Sequence, residues 1–173
     1  MLGPVMQPTR RRPRGLTLIE LMIGLGICAV LMSLAVPSFQ GYLQRNRLKA
    51  AAQGLELDLK DARYETARRG RALHLAFRPG ADWCYAITTH ADCDCQVQQA
   101  CRLKAVRAGD LRGVQLVDTT GVRFDPATGN PDAGGSKAVW QIAGGEKLRV
   151  SVSPLGRPAV CALSGTLPPI PAC

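Results

Sequence analysis

Three hydrophobic patterns follow one another along the chain. The first is apolar on every face from Leu16 to Val36, with Thr17, Glu20 and Ser33 as its clearly polar members. A helix crosses a hydrocarbon core in about 20 residues, so this stretch predicts a membrane helix. The second pattern places Leu48, Ala52, Leu55, Leu59, Ala62 and Thr66 at alternating four- and three-residue steps. That spacing makes one stripe on an amphipathic helix, with Asp58, Lys60, Asp61 and Arg63 expected mostly off it. Arg68-Arg69 followed by Gly70 is a stop signal, with cations in the last turn and a glycine after it. Pro37 sits between the two patterns, yet the helical spacing resumes beyond it. One long helix over residues 17–69 is predicted.

Beyond Gly70 the period changes to two. Short strands are expected at 72–77, 83–87, 114–117, 122–124, 138–142, 147–152 and 158–161. Pro79-Gly80, Gly129-Asn130-Pro131-Asp132, Gly134-Gly135 and Gly144-Gly145 separate them, the last as a two-glycine hairpin. The fold class is α+β, a helix laid on small antiparallel sheets.

Charge sharpens the first pattern. The chain has 22 basic and 13 acidic side chains, a net charge of +9. Four of the basic ones, Arg10, Arg11, Arg12 and Arg14, lie immediately before Gly15 and the apolar run. Cytoplasmic flanks of membrane helices carry such an excess. A helix that is apolar all round and flanked by arginines is not expected in a soluble core. Glu20 is the one charge inside the run, and a carboxylate at membrane depth costs about 2.5–3.5 kcal/mol on insertion scales. It therefore needs a partner. A secretory signal cut after Ala35 is the competing reading, because Ser33-Leu34-Ala35 is a small-x-small triplet. The run is long for such a signal, and Glu20 would have no purpose in it.

Of the seven cysteines, Cys28 lies in the apolar run and reads as a small apolar residue. Cys84, Cys93, Cys95, Cys101, Cys161 and Cys173 follow it. An even number downstream of an export signal predicts three disulfides in an oxidising compartment. Cys161–Cys173 would close a short proline-rich loop. Strain disfavours Cys93–Cys95. Two pairings remain, Cys84–Cys93 with Cys95–Cys101, or Cys84–Cys95 with Cys93–Cys101. A metal site is not expected, since no paired CxxC occurs and His74 and His90 are the only histidines. No nucleophile–base pair, phosphate loop or metalloprotease motif is present, so neither catalysis nor a cofactor is expected. His74 alternates with the apolar residues of its strand and is expected to face solvent.

Gly15-Leu16-Thr17-Leu18-Ile19-Glu20-Leu21-Met22, behind its basic leader, resembles the class III signal of type IV prepilins and type II secretion pseudopilins, with Leu16 where phenylalanine is usual. The resemblance implies cleavage by a prepilin peptidase between Gly15 and Leu16, and N-methylation of Leu16. It also implies that Glu20 pairs with the new amine of a neighbouring subunit, and that Pro37 kinks the helix. Arg45-Asn46-Arg47-Leu48 and the segment from Leu57 to Gly70 are similar to the GspH/FimT family, as is Ser153-Pro154-Leu155-Gly156-Arg157. The fold implied is type IV pilin-like: a long kinked N-terminal helix, its first half transmembrane, packed on small disulfide-stapled antiparallel sheets. The organisation implied is a leader over 1–15, a transmembrane and assembly helix over 16–37, an amphipathic helix over 38–70 and a periplasmic β-rich domain over 71–173.

The function implied is that of a minor pilin in a type IV pilus, within an initiating or tip complex; the alternative is a minor pseudopilin of a type II secretion system. The partners implied are the prepilin peptidase, other major and minor pilins or pseudopilins, and inner-membrane lipid. The leader would be cytoplasmic. A reading of another class is DNA capture for transformation. Gly156-Arg157-Pro158-Ala159 keeps one arginine of a Gly-Arg-x-Arg motif, and Arg102, Lys104, Arg107 and Arg112 would form a basic loop. With the second motif arginine absent and no aromatic residues interleaved near Arg157, a solvated basic face is preferred to a DNA site.

Overall fold

Helix α1 spans Leu18–Arg69 in the computed structural model, which describes Gly15 and residues 17–132 and 135–173. The arginine-rich leader, Leu16 and the Gly134 half of one expected turn lie outside the described residues. The chain divides into two units, the first ending at Phe39 and the second running from Gln40 to Cys173.

In the first unit every described residue is exposed. The helix here has a mean hydropathy of 2.3 over its most apolar window, enough to cross a membrane by length and composition. Leu18, Ile19, Leu21, Met22, Ile23 and Leu25 begin a continuous exposed apolar surface that ends at Val36 and Phe39. A surface of that extent must be covered by lipid or by other protein. Pro37 lies within α1. It has no N–H to give to the carbonyl four residues back, that of Ser33. The Ser33 hydroxyl itself turns back to the Val30 carbonyl at 2.7 Å.

In the second unit α1 buries Leu48, Ala51, Ala52, Leu55, Asp58, Leu59, Ala62 and Thr66. The stripe is the expected one with Ala51 and Asp58 added. The buried Thr66 hydroxyl is satisfied there by donating to the Ala62 carbonyl at 2.8 Å. The helix stops at Gly70, whose φ of +61° suits glycine and whose N–H caps the Thr66 carbonyl at 3.0 Å.

The strands are β1 (Leu73–Arg78), β2 (Cys84–Thr88), β3 (Arg102–Arg107), β4 (Val114–Thr120), β5 (Val122–Phe124), β6 (Ser136–Ile142), β7 (Lys147–Val152) and β8 (Pro158–Ser164). They form two antiparallel sheets in the orders β3-β2-β1-β5 and β4-β6-β7-β8. The helical stripe and the inner faces of both sheets share one core. Alternation sets those faces: β7 turns Leu148, Val150 and Val152 inward. Trp83 and Trp140 meet edge-to-face at 4.7 Å, and the Trp83 indole N–H donates to the Val114 carbonyl at 2.7 Å.

β2 is buried on both faces. Tyr85 and Ile87 face the main core. Cys84 and Ala86 face the other way and form a small cluster with Cys95 and Ala105. The loop from Thr89 to Cys101 supplies that second layer. The disulfides are Cys84–Cys95, Cys93–Cys101 and Cys161–Cys173. The first two are one of the pairings that spacing left open. The third ties the C-terminal tail to β8, where Cys173 N–H donates to the Ala162 carbonyl at 3.0 Å and Ala162 N–H to the Pro171 carbonyl at 2.8 Å. The tail thereby covers part of a sheet edge that would otherwise invite pairing.

Two local readings change. Residues 102–107, expected as a basic loop, form edge strand β3. The Gly144-Gly145 hairpin has a three-residue loop: Gly145 N–H reaches the Ile142 carbonyl at 2.9 Å, and Gly145 takes the left-handed conformation that such loops require.

Candidate functional site

Thr17 caps the first turn of α1. Its hydroxyl accepts from the Glu20 N–H at 3.3 Å, and Thr17-x-x-Glu20 has the spacing of a capping box. The carboxylate is exposed in the first turn. Among the described residues it pairs with no cation, so the apolar surface around it carries one unneutralised acid. Leu16 and the scissile bond lie outside the described residues.

The basic residues considered for DNA have other commitments. Lys104 shares a face of β3 with Val106, while Arg102 and Arg107 take the opposite face, by their register against Ile87, Tyr85, Thr88 and Cys84. Lys104 reaches down to Asp58 at 2.5 Å, and the Asp58 carboxylate also accepts from the Tyr85 hydroxyl at 3.0 Å. Asp58 is 3% exposed, so this carboxylate belongs to the core side of α1 and is satisfied there by a cation and a phenol. Burial, followed by the charge and hydrogen bond of Asp58, pushes the Tyr85 hydroxyl well above its ordinary pKa. On the other face Arg102 donates to the Cys95 carbonyl at 3.1 Å, and Arg107 to the Gln96 carbonyl at 2.9 Å. These two arginines brace the cystine loop. Arg68 and Arg69 both bind Glu65, whose carboxyl is held below its ordinary pKa by the Arg68 hydrogen bond first and that of Arg69 second.

Arg157 is placed differently. It is exposed on the β7–β8 turn and borders a cleft of about 600 Å³ with Lys60, Arg63, Tyr64, Ala67 and Pro158. Arg63 closes the floor of this cleft by donating to the Gly129 carbonyl at 3.1 Å and the Gly156 carbonyl at 3.2 Å. A Cβ at Gly156 would stand 2.9 Å from the Arg63 Nε and push the guanidinium aside, and the φ of +72° there also favours glycine. The helix segment around Arg63 and the Gly156-Arg157 turn, far apart in sequence, are thus two halves of one contact. Sequence reasoning named Arg157 but missed Arg63, because nothing in the local spacing says which turn an arginine will reach.

Among the described residues one cluster of three metal-ligating side chains comes together, Cys84, Asp94 and Cys95. Its two sulfurs are bonded to each other. His74 is half-buried on β1 rather than open to solvent; desolvation, then the Arg123 charge, lowers its pKa.

A membrane-length apolar helix and a domain of two antiparallel sheets with three disulfides are together the features of a pilin-like fold, consistent with a membrane-anchored subunit. Residues 10–36 match the prokaryotic N-terminal methylation motif. Residues 51–156 match the family described as type II transport protein GspH. The chain belongs to the GspH family, a group of structural pilins and pseudopilins, and is a subunit of pilus or pseudopilus assembly. The type IV minor pilin FimU of Pseudomonas aeruginosa strain PAO1 is similar in structure, with a TM-score of 0.49 and 21% identity over 65% of this chain and 91% of that one. No curated protein matches. The family implies association with other pilins or pseudopilins, and the motif implies processing by a prepilin peptidase.

Proposed function

We propose that the chain is cut after Gly15, methylated on Leu16, held in the inner membrane by the first part of α1, and then transferred into a fibre. There the Glu20 carboxylate pairs with the methylated amine of the adjacent subunit. The observation that carries this reading is the exposed apolar surface from Leu18 to Phe39 with a single acid in its first turn. In lipid the acid is costly. Beside a neighbour's amine it is neutralised and fixes the axial register, the best-attested use of a buried ion pair. Pro37 supplies a weak point in the helix at the border of the two units, suited to a change of angle during transfer. The leader stays on the cytoplasmic side, where its arginines hold it, and the cystine-bearing domain lies in the periplasm, where disulfides persist.

The preferred setting is an initiating or tip complex of a type IV pilus; the description of the matching family favours a type II secretion pseudopilus as the second reading. Deleting the chain from its native cell and scoring both surface fibres and secreted protein separates them. Loss of surface fibres with secretion intact is the expected result. The reverse assigns the subunit to secretion, and no effect on either contradicts the assembly role.

A further inference from the structure

We propose that the cleft between α1 and the β7–β8 turn docks an acidic, leucine-bearing extended peptide presented by a neighbouring subunit; the inference rests on the assembly reading above and names the chemistry of one contact. The cleft of about 600 Å³ is of the size that receives a few side chains. Its walls divide in chemistry. Tyr64 is 67% exposed, and with Ala67 and Pro158 it offers an apolar surface with a rigid ring. Lys60, Arg63 and Arg157 supply positive charge around that surface.

The charge is largely unspent. All three acceptors around the Arg63 guanidinium are uncharged: the Gly129 and Gly156 carbonyls and the Asn130 amide oxygen. Among the described residues no carboxylate pairs with Arg63 or Arg157, and Lys60 alone has one, Glu56 at 2.7 Å. The turn that carries Arg157 is fixed, since its N–H donates to the Ser153 hydroxyl at 3.2 Å and the Gly156 N–H to the Ser153 carbonyl at 2.8 Å. A guanidinium carried on a fixed turn beside an apolar wall suits a carboxylate followed by an aliphatic side chain, since charge-assisted bonds fix orientation and the ring supplies buried area.

A nucleic-acid strand fits less well. Glu56 already pairs with Lys60, and Glu65 with Arg68 and Arg69, so no continuous track of free cations runs along α1 for successive phosphates, whereas a carboxylate needs only the Arg157 side of the cleft. Strand binding also draws on several stacking rings along a basic track, and the cleft has one.

The test is fluorescence anisotropy of the full chain in detergent micelles, titrated against a labelled short peptide that alternates aspartate with leucine. Saturable binding is expected, lost when asparagine replaces aspartate. Arg157→Glu should weaken it about tenfold, by turning a charge-assisted contact into a repulsion. Tyr64→Ala should weaken it severalfold. Both side chains are exposed, so thermal unfolding of the variants should match the wild type. Absence of saturable binding overturns the proposal, as does binding that neither variant changes. Tighter binding of an oligothymidylate, lost in the same variants, also overturns it and makes the cleft a nucleic-acid site. No fibre is needed for the readout, so such a failure leaves the Glu20 assembly reading standing.

Discussion

Glu20→Ala is expected to cut incorporation of the subunit into fibres about a hundredfold or more while leaving the membrane-bound chain intact. Two effects that act in the same direction on assembly produce this result. Alone in the bilayer, the variant is better off, because it no longer carries a carboxylate that costs about 2.5–3.5 kcal/mol. In the fibre it leaves a neighbour's amine without its partner, and breaking a buried pair on one side costs about 3–5 kcal/mol. At about 1.4 kcal/mol per factor of ten, assembly falls by roughly a hundredfold or more. Glu20→Gln keeps hydrogen-bonding capacity without the charge and should fall between. The measurement is the amount of variant in sheared fibres relative to the amount in membranes, with removal of the leader checked in both. Normal incorporation of processed Glu20→Ala would show that the carboxylate is not an assembly contact.

The second large effect is on the domain itself. Asp58→Ala should lower its stability by about 2–3 kcal/mol, read by thermal or denaturant unfolding of the chain in detergent. The substitution strands the Tyr85 hydroxyl, which is buried and donates to Asp58 at 3.0 Å, and removes the anchor of Lys104. Lys104 is half exposed and can return to water, so the cost falls mainly on the phenol. Tyr85→Phe probes the same network through pH. Because the folded-state pKa of Tyr85 is raised above its ordinary value near 10, the folded state keeps the phenol protonated where the unfolded chain ionises. The stability contributed by Tyr85 is therefore fully present below about pH 10 and declines as pH rises above it. The advantage of the wild type over Tyr85→Phe should shrink over that alkaline range and stay constant below it.

The fold was legible wherever one face of an element meets one environment. Leu48, Leu55, Leu59 and Ala62 announce their stripe by spacing alone, and β7 alternates cleanly between inner and outer faces. β3 was not legible, because an edge strand facing solvent on one face carries Arg102, Lys104 and Arg107 where a central strand would carry apolar residues. Period-two spacing was present there, masked by charge. Asp58 was misread for a related reason. A carboxylate at a stripe position looks like a break in the pattern until its partners on β2 and β3 are known, and those lie 27 and 46 residues away. The disulfides show the same limit. Spacing reduced the central four cysteines to two pairings, and choosing between them required the position of the loop over the outer face of β2. The N-terminal methylation motif over residues 10–36 was legible because its pattern is local: a basic leader, a glycine, a carboxylate and a membrane-length run in fixed register.

Use of this register by a prepilin peptidase is read from the intact mass of the chain isolated from its native membrane or fibre. A mature chain beginning at Leu16 and heavier by one methyl group is expected. A chain beginning at Val36, or one that retains the leader in the assembled fibre, would contradict it.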